Sequence, residues 1–130
     1  MGTRSLTFVY EDKTPILNMY RQFDGYPSGH GQELADFLLS GKMVNGIPVG
    51  EKQLFFNGMG CLAAQMIANF KKGAGGFYIY PIDSTDCWQE YEYHVYENKV
   101  VVKNPTEVIF SGTWEQFNGF CYDEIGRAHV

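Results

Sequence analysis

Between Tyr20 and Gly31 the chain reads Tyr-Arg-Gln-Phe-Asp-Gly-Tyr-Pro-Ser-Gly-His-Gly, gathering an arginine, an aspartate, a histidine and three aromatics around a Gly/Pro turn. An amphipathic segment follows, so Ser28-Gly29-His30-Gly31 is expected to open a helix. There free backbone N–H groups and the helix dipole favour negative charge. The two glycines let a ligand approach the backbone. Arg21 just upstream would act as a charge clamp, and Tyr20 or Tyr26 would stack on a planar group. The block is neither a P-loop nor a GxGxxG fingerprint. The binding set expected from it is Arg21, Asp24, Tyr26, Ser28, Gly29, His30 and Gly31, with Asn57 added from a second glycine-flanked helix start. The plain alternative makes Asp24-Gly25 a turn, Ser28 an N-cap and His30 a surface residue.

That second start is Asn57-Gly58-Met59-Gly60-Cys61. With the first it could hold two anionic groups of one ligand; otherwise Gly60 serves close packing. Cys61 near a helix N-terminus could be nucleophilic, but no base stands beside it, and an inert thiol is the simpler reading. His94 between Glu92 and Tyr96 on one strand face is either an acid/base cluster or a solvated sheet face. The nine tyrosines suit a pocket that stacks a planar ligand, and equally suit half-buried strands. An enzymatic reading remains: a small hydrolase or transferase with His30 as base and Asp24 or Glu33 orienting it. A protein-interaction module presenting the tyrosines is a third. No nucleophile, base and orienting group stand at a recognisable spacing, so binding without turnover is preferred.

These residues need elements to hold them. Ser5 to Tyr10 is β-branched and aromatic and predicts a strand, with Ile16 to Phe23 as its hairpin partner. Alternation puts Leu17, Met19, Arg21 and Phe23 on one face, so Arg21 stands among apolar neighbours and needs an acidic partner or an anionic ligand. The first helix runs to about Ser40, with Gly41 as its stop and Leu34, Phe37 and Leu38 as its apolar stripe. Met43 to Gln53 reads as a loop with a short extended piece. Met59, Ala63, Met66, Ile67 and Phe70 form the stripe of a second helix. Gly60, Ala64 and Ala68 beside it make a small-residue ridge expected to lie close to the sheet, with Lys71-Lys72 in the last turn and Gly73 as the stop. Phe77 to Pro81, Glu90 to Tyr96, Lys99 to Lys103 and Glu107 to Ser111 read as strands, and Gly112 to Phe120 as a closing helical turn anchored by Trp114 and Phe117. The order β-β-α-α-β-β-β-β predicts a single α+β domain over 1–125. Its sheet is mostly antiparallel, of about five to six strands, with two helices on one face. Residues 126–130 read as an unstructured or appended tail.

The chain has 130 residues, 45% of them hydrophobic, enough for one real core. A net charge of −5 with three arginines argues against gripping long nucleic acid. The three cysteines form no CxxC pair and the histidines do not cluster with them, so no metal and no cofactor are expected. There is no signal-peptide core and no apolar run that could span a bilayer, and the expected setting is cytoplasmic. Homo-oligomerisation is left open.

At Gly2-Thr3-Arg4-Ser5 and the Tyr20 to Gly31 block the sequence resembles a group of short uncharacterised proteins carried by bacteriophages and other mobile elements. The likeness extends through Asn57 to Cys61, Phe77 to Pro81 and Thr113-Trp114-Glu115. It carries over no catalytic residue. What it implies is a small accessory protein acting inside a bacterial host.

Overall fold

Strand β1 (Ser5–Glu11) and strand β2 (Thr14–Arg21) alternate side chains to two faces and close into an antiparallel hairpin through Asp12, whose φ of 56° suits a tight turn. The computed structural model describes residues 2–46 and 54–128, the last four of these by backbone alone. After the hairpin come a π-helical turn (Pro27–Gly31), helix α1 (Gln32–Leu39), strands β3 (Gly41–Val44) and β4 (Leu54–Asn57), and helix α2 (Gly58–Phe70). Strands β5 (Phe77–Ile79), β6 (Tyr91–Val95), β7 (Val100–Lys103) and β8 (Val108–Gly112) then lead to helix α3 (Trp114–Ala128). The six-stranded main sheet has the order β5-β2-β1-β6-β7-β8, antiparallel except where β1 lies parallel to β6. The protein is therefore a small α+β domain with a mostly antiparallel sheet, as its periodicities predict.

One face of the sheet meets all three helices. Val9, Leu17, Met19, Tyr93, Val95, Val100 and Val102 from the strands pack against Leu34, Phe37 and Leu38 of α1, Leu62, Met66 and Phe70 of α2, and Trp114, Phe117 and Cys121 of α3. On the opposite face Leu6, Phe8 and Tyr20 are buried with Tyr10, Tyr80 and Cys87. The 81–90 segment is tied to this face by Asn18, whose Nδ2 donates to the carbonyls of Pro81 and Ser84, both at 2.9 Å.

Several local expectations change. The closing helical turn is a full helix, α3, whose Trp114, Phe117 and Cys121 fall at i, i+3 and i+7 on the core side. Its backbone continues through 126–128, where an unstructured tail was expected; residues 129 and 130 lie outside those described. The extended piece after α1 is a two-stranded parallel sheet, β3 with β4; residues 47–53 of the expected loop lie outside those described. Gly41 is not a left-handed helix stop but a close approach, since a Cβ there would sit 2.6 Å from the Phe56 ring. Gly60, Ala64 and Ala68 face solvent, so the ridge does not meet the sheet. Helix α2 ends at Phe70, with Lys71 already extended. The Lys71 ammonium instead donates to the carbonyls of Gly75 (3.1 Å) and Phe77 (2.7 Å), which occupies part of the edge of β5.

Candidate functional site

The Tyr20 to Gly31 block is built around a buried guanidinium. Strand parity sends Arg21 to the helix face of the sheet, where apolar walls leave it in need of partners. Its Nε donates to the Phe23 carbonyl at 2.8 Å, and Nη1 donates to both His30 Nδ1 (3.2 Å) and a Glu33 carboxylate oxygen. The guanidinium also lies over the Phe77 ring, 4.9 Å from its centroid. Because arginine can only donate, Nδ1 of His30 must accept, and the ring proton sits on Nε2, which donates to Thr7 Oγ1 at 2.7 Å. His30 is fully buried, between Phe70, Phe77 and Tyr93. Burial, and secondarily the Arg21 charge, push its pKa down to about 3. A neutral imidazole with both nitrogens engaged is neither a surface residue nor a base, so the acid/base role for His30 with Asp24 or Glu33 does not stand.

The anion cradle is closed as well. A π-helical turn folds the chain back on itself, and the N–H groups that would have met a ligand bond internally. Gly29 and Gly31 donate to the Tyr26 carbonyl at 3.0 and 3.4 Å, and His30 to the Asp24 carbonyl at 2.8 Å. Ser28 caps nothing; the residue before the turn is Tyr26, with no side-chain cap bond. Asp24 holds a left-handed φ of 60° and accepts a hydrogen bond from the Tyr26 hydroxyl at the surface. Gly29 and Gly31 serve close packing: a Cβ would meet the Asp24 carbonyl at 2.7 Å and the Cys121 sulfur at 2.9 Å respectively. Tyr93 completes the lock, its hydroxyl donating to the Gly25 carbonyl at 2.7 Å.

Asn57 does not join this group. The block packs beside Ser5 at one end of β1, whereas the start of α2 shares a cavity with Glu11 at the other, about 20 Å away by strand rise. The Asn57 side chain accepts from the Gly46 N–H at 2.8 Å rather than capping α2.

Beside the lock lies an open cleft of about 930 Å³, between α1 and the turn from α2 to β5. Glu33, Asp36, Phe37, Phe77, Lys72 and the Gly73–Gly76 run contribute to its walls. Three partners of Arg21 (Phe23, Glu33 and Phe77) line it, so the guanidinium stands directly behind the wall. Gly75 and Gly76 have φ of 78° and 79°, a path open to few other residues. In the sequence, Gly73 of this run reads only as the stop of the second helix; its place in a cleft wall emerges once the strand after it pairs with β2.

On the opposite face His94 is buried and stacked on Phe8, with ring centroids 4.9 Å apart. Its Nδ1 accepts from the Tyr10 hydroxyl at 2.6 Å and its Nε2 donates to Glu92 at 3.0 Å. That bond holds the Glu92 carboxyl below its usual range, and burial first, then Tyr96, raise Tyr10 to about 12. The face is thus an ordered hydrogen-bonded network, buried at His94 and reaching solvent at Glu92. Cys61 and Cys87 are half-buried, and burial raises the Cys121 thiol to about 12.

Taken together, fold and site define a small α+β domain with a locked polar core and an open mixed-charge cleft. No protein-family model matches the chain, nor does any curated protein or solved structure compared with it. No helix among the described residues is long and apolar enough to cross a membrane.

Proposed function

We propose that the protein is a small accessory binding module of the phage and mobile-element type. In this reading it works in the bacterial cytoplasm and holds a compact anionic or nucleotide-like molecule in the cleft beside α1, without turning it over. The observation that carries the reading is the asymmetry of the Arg21–Glu33 pair. The arginine side chain is 7% exposed and the carboxylate 54%. A buried guanidinium cannot lose its counter-ion cheaply, whereas an exposed carboxylate can rotate into water at little cost. Glu33 therefore serves as an internal stand-in that an incoming phosphate or carboxylate replaces. Lys72 and the Gly73–Gly76 backbone would meet the rest of the anion, and Phe23 or Phe77 a planar part. His30 offers the cleft no free ring nitrogen, because both are engaged by Thr7 and Arg21.

Thermal-shift and calorimetric titration with inorganic phosphate and a panel of nucleotides tests this. Removing the internal competitor by Glu33→Ala is expected to tighten anion binding several-fold even as it lowers the melting temperature. Arg21→Lys, which keeps the charge but loses the planar fork, is expected to weaken it. If neither the wild type nor Glu33→Ala responds to any anion in the panel, the reading fails.

A further inference from the structure

A second cleft, of about 650 Å³, lies on the other side of the domain between the 85–92 segment and the turn joining β7 to β8. Trp88 stands at its mouth, 84% exposed, with a φ of 63° that bulky residues rarely adopt. In its wall the Glu92 carboxylate is fixed from both sides: one oxygen accepts from His94 Nε2 and the other from Gln89 Nε2, each at 3.0 Å. His94 is in turn immobilised by Tyr10 and by stacking on Phe8. Asp86, Glu90, Glu92 and Glu107 line the cleft against a single ammonium, Lys103.

We propose that this cleft docks a basic segment of a partner protein, with an arginine or lysine side chain entering between the Trp88 indole and the Glu92 carboxylate. An indole face attracts a cation through its quadrupole, and a carboxylate already ordered by its neighbours binds one without further loss of side-chain freedom. Tryptophan, here solvent-facing in the same cleft as the fixed charge, is also among the residues on which protein interfaces concentrate their affinity. The excess of carboxylates repels phosphates, which sets nucleic acid and anionic lipid aside and steers basic partners inward. The volume exceeds what one ammonium or guanidinium head fills, which favours a peptide segment over a lone amine. This inference uses a different face from the anion cleft and does not depend on it.

The test is fluorescence anisotropy of a labelled octapeptide of alternating arginine and glycine, titrated with the full chain at about 150 mM salt, where long-range attraction is screened. Saturable binding is expected, weakened tenfold or more by Trp88→Ala and by Glu92→Gln. Trp88→Gly removes the indole while easing the left-handed backbone, so its loss of binding cannot be laid to misfolding. The double change Glu11→Gln, Asp12→Asn at the other end of β1 removes two carboxylates and should leave affinity within about threefold, the scale of a screened remote charge. Absence of saturable binding, equal weakening by the remote pair, or equally tight binding of arginine amide would each overturn the proposal.

Discussion

Replacing His30 by a residue that does not titrate is expected to flatten the protein's stability against acid. In the folded chain the imidazole stays neutral down to a pKa of about 3, because it is buried and faces Arg21. In the unfolded chain it takes a proton near its ordinary value of about 6.5. Between these values the unfolded state binds the extra proton, so stability falls as pH drops, by about 1.4 kcal/mol per pH unit. The His30 contribution is complete above about pH 6.5, and at about pH 4.5 roughly 2.7 kcal/mol of it is gone. Urea unfolding of the wild type and of His30→Gln at about pH 7, 5.5 and 4.5 isolates the effect. The carboxylates titrate in both proteins and largely cancel in the difference. The variant starts less stable, having lost the bonds to Arg21 and Thr7, but its deficit should shrink by about 2–3 kcal/mol across the range. Two stability curves running parallel from neutral to acid pH would refute the neutral, buried imidazole and with it the account of the lock.

Other outcomes follow from single contacts. Met66→Ala, at a fully buried position of α2, should cost about 2–5 kcal/mol by denaturant unfolding, while Ala64→Ser on the exposed side should stay within about 0.5. Gly41→Ala should destabilise by about 1–3 kcal/mol, because its Cβ would drive into the buried Phe56 ring. Trp88→Gly should raise the unfolding free energy by about 1 kcal/mol through relief of the left-handed backbone, the reverse of its expected effect on peptide binding.

Much of the architecture was legible because it rests on local periodicity. Alternation assigned Arg21 to the same face as Met19 and Leu17, and the i, i+3, i+4 stripe of Met59 to Phe70 marked the buried side of α2. Helix α3 was legible only as a turn. Gly119 and Asn118 are weak helix formers, and the docking of Trp114, Phe117 and Cys121 against the sheet carries the segment through them. The parallel pairing of β1 with β6 joins segments about 85 residues apart, and no local pattern encodes that choice.

The sequence by itself determined that Arg21 would be a buried charge in need of a partner, and that a glycine-rich turn would adjoin it. Only the tertiary structure decided who the partners are. The same arginine, histidine and backbone N–H groups can face a ligand or one another, and their chemistry is identical in both cases. What separates the two is where Glu33, twelve residues on, and Thr7, on a neighbouring strand, come to rest. That is fixed by the π-helical turn and by the burial of His30 against Tyr93 and Phe70. Such contacts form only when the helix layer closes on the sheet, because a buried polar group takes whichever partner the packing brings within hydrogen-bond reach.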